Sequence, residues 1–160
     1  MVVVVGSAAR AEAAAVRREV AVNTGTPRQA DLLLASDTDP QVRSALAHKI
    51  ARLVPEMSLD QVGQIERLTL DVLETLARDQ TAEVRRILSE TLKDLGHAPP
   101  SVINRLARDV ELCVAGPVLR CSPILTDDDL LEIIRDDLQI DHLDGFGFVT
   151  DRQRMRVSKS

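Results

Sequence analysis

Aromatic side chains are almost missing: Phe146 and Phe148 are the only two, with no tryptophan or tyrosine. That removes the stacking platforms on which unpaired bases are held and the rings that cage a cation. The core must be aliphatic, built from Leu, Val, Ile and Ala, which suits close-packed helices. A basic excess is also lacking, since 20 Lys and Arg against 25 Asp and Glu leave a net charge of −5. No global positive field awaits a nucleic-acid backbone, and the cations are interleaved with acids, as on solvated helix faces. Only two cysteines occur, Cys113 and Cys121. Within one helical region they would lie roughly 12 Å apart, beyond disulfide reach. They read as reduced, structural thiols of a cytoplasmic protein. No apolar run approaches the ~20 residues that span a bilayer, so no membrane partner is expected. Met1–Val5 is too short for a signal-peptide core and has no basic leader.

What the chain does have is repetition. Leu34-Ala-Ser-Asp37, Leu76-Ala-Arg-Asp79 and Leu106-Ala-Arg-Asp109 share one pattern, and a valine follows each Asp by five residues: Val42, Val84 and Val114. Each copy reads as the end of one helix, a tight turn and the start of a second. Recurrence of that unit predicts a helical solenoid. With 160 residues the chain suffices for one domain, burying roughly 70% of its unfolded surface.

Taken in order, Val2–Val5 is β-branched and predicts an extended start, with Ser7 capping a helix over 8–22. Gly25 predicts a left-handed stop. Thr26-Pro-Arg-Gln29 supplies a cap, a first-turn proline and a capping-box glutamine. Asp39-Pro40 opens the next helix in the same way, with Val42, Ala45, Leu46, Ile50 and Leu53 at helical spacing, and Pro55 ends it. Ser58 to Gln61 is a further capping box, opening a helix to about Arg78. Thr81 should cap the following one, which Gly96 stops. Pro99-Pro100 starts a short helix, and a partner from about Glu111 should be bent or interrupted at Gly116-Pro117. Three acids, Asp127, Asp128 and Asp129, sit favourably at the positive end of a last helix. Beyond Leu138 the periodicity fades. Residues 139–160 are expected to form an irregular, mobile tail, with Phe146–Val149 able to pair as a strand with Val2–Val5.

Asp39-Pro-Gln-Val-Arg43 and Thr81-Ala-Glu-Val-Arg85 resemble the second-helix openings of HEAT-type repeats, including those of the phycobilin-lyase-like subgroup. A longer resemblance covers residues 31–137, above all Val114-Ala-Gly-Pro-Val-Leu-Arg-Cys-Ser-Pro-Ile-Leu-Thr-Asp-Asp-Asp-Leu-Leu-Glu-Ile-Ile134. It is to the bacterial, mainly alphaproteobacterial, family called domain of unknown function 2336. The resemblance implies an α-helical repeat protein with no assigned catalytic residues. The fold expected of the chain is an all-α, HEAT-like α-solenoid of about four helical pairs, wound right-handed, with no cofactor. The family continues into further helical pairs where this chain turns to Gln139-Ile-Asp-His-Leu-Asp-Gly-Phe-Gly-Phe148, so a truncated or frame-altered member is expected.

The recurring Asp37, Asp79 and Asp109, with Arg43 and Arg85, allow two readings. They could form a charged ligand ladder, or each Asp could accept turn amides while each Arg bridges neighbouring units. Recurrence in successive units favours the structural role. His48, His97 and His142 lack metal-ligand spacing. Ser122 lacks a nucleophile-elbow motif. Asp127–Asp129 lacks the alternation and glycine of a calcium loop, and Gly145-Phe-Gly147 is too short to cradle phosphate. Arg152, Arg154, Arg156 and Lys159 read as a solvated tail. The functional expectation is a non-enzymatic scaffold or adaptor that binds an unidentified protein partner through second helices, around Arg43, Lys49, Arg85, Arg86 and Lys93. Self-association is expected at an uncapped end. Nucleic-acid binding and prosthetic-group lyase or chaperone activity are the alternatives, disfavoured by the charge and by the missing aromatics.

Overall fold

The computed structural model describes residues 2–56 and 64–143, and among these every regular element is helical. The helices are α1 (Val2–Val22), α2 (Arg28–Leu34), α3 (Pro40–Leu53), α4 (Gln64–Ala77), α5 (Ala82–Leu92), α6 (Pro100–Ala107), α7 (Leu112–Cys121) and α8 (Asp127–Leu143), with a single 3₁₀ turn at Val54–Glu56. The chain divides into two compact units, Met1–Ile124 and Leu125–Ser160.

In the first unit the helices pack in two ranks. One rank runs α1 on α3, α3 on α5 and α5 on α7; the other runs α2 on α4 and α4 on α6. Adjacent members of the two ranks also touch, as α3 with α4 and α6 with α7. The apolar spacing sets this order, because each middle helix must bury residues toward neighbours on more than one side. In α3 the buried set is Val42, Leu46, Ala47, Ile50 and Ala51; in α5 it is Val84, Ile87, Leu88 and Leu92. Fully burying one such Leu, Ile or Val is worth roughly 1.5–3 kcal/mol. Small residues let the ranks approach closely: Ala107 and Ala115 are buried among the larger chains. Ser89, fully buried on α5, donates its hydroxyl to the Val114 carbonyl of α7.

Several local expectations change. Val2–Val5 is helical, the first turn of α1. A valine costs at most ~0.7 kcal/mol relative to alanine, less than extending an established Ala-, Arg- and Glu-rich helix returns. The turn after α1 is closed by side chains, not by a left-handed glycine: Asn23 Oδ1 accepts the Gly25 amide at 2.8 Å. Thr26 does not cap α2. Its hydroxyl turns back to donate to the Val20 and Asn23 carbonyls at the end of α1. Pro117 neither breaks nor ends α7, which runs through it to Cys121. Both cysteines are free and exposed, so neither thiol fills the core.

Other expectations hold. Asp39 accepts the Gln41 amide at 2.8 Å, with Pro40 opening α3. In the second unit Asp127, Asp128 and Asp129 stand in the first turn of α8 as expected. Beyond that expectation Thr126 and Asp129 cap the helix reciprocally, the Thr126 hydroxyl accepting the Asp129 amide and Asp129 Oδ2 accepting the Thr126 amide. Helix α8 runs to Leu143, so residues 139–143 of the expected tail are helical, and Leu131 and Ile134 on it are exposed. The Ser58–Gln61 capping box, the Phe146–Val149 strand and the Arg152–Lys159 cluster lie outside the described residues.

Candidate functional site

The charged residues that the sequence singles out meet at three turns of one geometry. At each turn an aspartate Oδ1 accepts the backbone amide two residues on. Asp37 takes Asp39 N–H at 2.9 Å, Asp79 takes Thr81 N–H at 2.8 Å, and Asp109 takes Glu111 N–H at 2.9 Å. The residue that opens the next helix has nearly the same backbone each time, φ −87° and ψ 116° at Asp39, φ −91° and ψ 116° at Thr81 and at Glu111. Short acidic side chains favour such turns because they can satisfy an orphan amide locally.

An arginine from the preceding helix of the longer rank then clamps each carboxylate. Arg17 Nε donates to Asp37 at 2.6 Å, Arg43 Nε to Asp79 at 2.5 Å and Arg85 Nε to Asp109 at 2.7 Å. In every case Nη2 reaches the other carboxylate oxygen, at 3.2, 3.1 and 3.2 Å. The planar fork of arginine makes this two-pronged contact possible. The third guanidinium nitrogen points back: Arg43 Nη1 donates to the Asp37 carbonyl and Arg85 Nη1 to the Asp79 carbonyl, both at 2.6 Å. Arg43 and Arg85 thus each join their own turn to the next. Thr81, expected as a cap, instead has its hydroxyl accepting from Arg43 Nη2 at 3.0 Å. Helix α7 carries Ala115 at the place held by Arg43 and Arg85, so no such rung leaves it.

The rungs differ in exposure. The Arg43 and Asp79 side chains are 6% and 4% exposed, whereas Arg17 is 38% exposed. Hydrogen bonding from Arg17 and, secondarily, from the Asp39 amide holds the Asp37 carboxyl below its ordinary value. The bond to Asp109 likewise raises the Arg85 guanidinium.

A second buried cluster lies beside the first turn. Asp31 on α2 is wholly buried and faces two cations. Lys49 Nζ of α3 and Arg28 Nη1 bind its two carboxylate oxygens. Lys49 also donates to the Asn23 carbonyl at 3.0 Å. A fully buried carboxylate needs partners of this kind.

The five expected surface residues are therefore all engaged within the chain. Arg43 and Lys49 are buried and their charges are taken up by Asp79 and Asp31, so they offer nothing to a partner. Arg85 is half-buried on Asp109. Arg86 on α5 and Lys93 just past its end remain accessible, paired with Glu83 at 2.7 Å and Glu90 at 2.9 Å. Those contacts hold Glu83 and Glu90 below the usual carboxylate value. His48 and His97 are exposed, and among the described residues no group of three metal-binding side chains converges. Sequence reasoning overlooked Arg17, Arg28 and Asp31.

Among the described residues the fold is thus all-helical, and no helix there is long and apolar enough to cross a membrane. Comparison with family models, with curated proteins and with solved structures finds no match.

Proposed function

We propose that the chain is a HEAT-like helical-repeat protein of about four helical pairs. On this reading it acts in the cytoplasm of a bacterium as a non-enzymatic scaffold or adaptor, and it belongs with the domain of unknown function 2336 family that its sequence resembles. The observation that carries the proposal is the shared construction of the three turns, each an aspartate closing the backbone and accepting the preceding arginine. A unit copied in this way builds a long continuous surface more readily than one deep catalytic pocket, and proteins of this architecture use such surfaces for binding. The accessible Arg86 of α5 and Lys93 at its C-terminal cap remain part of the proposed contact surface.

Affinity capture from the source organism's lysate, with light scattering of the purified chain, tests the proposal. A stoichiometric protein partner, weakened by charge reversal at Arg86 and Lys93, supports the adaptor reading. Bound nucleic acid or a chromophore, with no protein partner, overturns it.

A further inference from the structure

Between the second and third turns lies an open cleft of about 420 Å³ in which four arginines, Arg78, Arg85, Arg105 and Arg108, face only two carboxylates, Asp79 and Asp109. Both carboxylates are already committed, Asp79 to Arg43 and Asp109 to Arg85. Arg78 and Arg105 are exposed and make no ion pair among the described residues. With Arg85 paired and Arg108 making a contact of its own, Arg78 and Arg105 carry the unpaired positive charge of the cleft, on a chain whose net charge is −5.

We propose that this cleft binds one anionic group, a carboxylate or a phosphoryl, presented on a short acidic segment of a partner protein; the proposal rests on the adaptor reading above. Arginine suits both anions because its fork matches two oxygens at once. The placement follows from the turn motif, since Arg78 and Arg108 occupy the same place in Leu-Ala-Arg-Asp, where the first copy has Ser36. The neighbouring cleft carries Asp71 and Glu74 beside Arg78 and Leu32, so its polarity is reversed. On the Arg78 side the cations of the cleft are thus bordered by acids. An extended nucleic-acid backbone would meet those acids, whereas one anionic side chain with short flanks would not.

Two fluorescein-labelled peptides of the same length test this by anisotropy, one with adjacent glutamates and one with a phosphoserine at their centre. Binding of either is expected to weaken about three- to fivefold in each of Arg78→Gln and Arg105→Gln, and about tenfold or more in the double variant. Arg67→Gln, an exposed position on α4 that does not line the cleft, should bind as the parent does. Whichever peptide binds more tightly identifies the source of the anion. Arg105→Gln alone keeps the test available should the double variant fail to fold. Three results overturn the proposal: neither peptide binds below millimolar concentration, the arginine variants bind undiminished, or a labelled oligonucleotide of equal length binds more tightly than both peptides. A protein captured equally by parent and double variant sinks the cleft but leaves the adaptor reading standing. Absence of both peptide binding and any captured partner sinks both.

Discussion

Arg43→Met isolates the most buried rung of the ladder. The side chain is 6% exposed and makes four hydrogen bonds, two to Asp79, one to the Asp37 carbonyl and one to the Thr81 hydroxyl. Methionine keeps most of the aliphatic stem but strips the Asp79 carboxylate, 4% exposed, of its two-pronged guanidinium and leaves it the Thr81 amide. Removing one member of a buried pair costs about 3–5 kcal/mol, a large part of the ~5–15 kcal/mol by which a domain is stable. At roughly 2–4 °C per kcal/mol for a chain of this size, the midpoint should fall by about 6–20 °C. The same change at Arg17, on the open first rung, should cost less. Replacing both partners, as Arg43→Met with Asp79→Leu, should cost less than the two single changes summed, because no buried charge is then left alone. Asp79→Leu still loses the turn amide contact, so recovery is partial. Without tryptophan or tyrosine the assay is urea and thermal unfolding, each followed by far-UV circular dichroism. A loss below about 1 kcal/mol for Arg43→Met, or strict additivity in the cycle, would refute the reasoning.

Three further outcomes are expected. Asp31→Asn should destabilise more than Lys49→Met, since the first leaves two cations facing a neutral amide while the second leaves Arg28 still paired with Asp31; equal urea midpoints would contradict this. Asp37 titrates below its ordinary 3.8 in the folded state. Its contribution is therefore full above the unfolded value and disappears as pH falls through the lower, folded one. Arg17→Gln should consequently flatten the loss of stability below about pH 4, read as urea midpoints across that range; an unchanged acid limb would count against the Arg17 contact. Cys113 and Cys121 are both exposed, so a thiol reagent should titrate two groups without denaturant, and release of a second group only on unfolding would show otherwise.

Much of the architecture was legible because it depends on local spacing. The Leu-Ala-x-Asp turns, the cap at Asp39-Pro40 and the acidic first turn of α8 are written within a few consecutive residues. The tendency of Asp37, Asp79 and Asp109 to bind turn amides could likewise be read from sequence. The identity of the arginine for each turn could not. The separations of the three pairs are 20, 36 and 24 residues, because the intervening segments differ in length, and no fixed offset links Arg17 to Arg43 and Arg85. Burial was invisible for the same reason. Lys49 sits at a position that reads as solvated, and only the approach of α2 brings the Asp31 carboxylate onto it. Thr26 and Thr81 occupy capping positions by pattern, yet the Thr26 hydroxyl turns back to the end of α1 and the Thr81 hydroxyl serves the distant Arg43. Pro117 shows the opposite conflict, in which packing of Val114 and Val118 in the core overrides a local helix breaker.

The absence of an arginine at Ala115 gives the row of clamps a direction. Helix α1 supplies a guanidinium and α7 supplies none, so the two ends of the first unit are not equally dependent on their neighbours. Trimming α1 strips Asp37 of its two-pronged partner, whereas trimming α7 after Glu111 leaves the Arg85–Asp109 clamp and its turn amide in place. Wear at the amino-terminal side propagates into the ion pairs. Wear at the other side removes aliphatic packing and the Ser89 hydroxyl's acceptor. Fraying should therefore be sensitive to salt and acid at one end and nearly indifferent to both at the other.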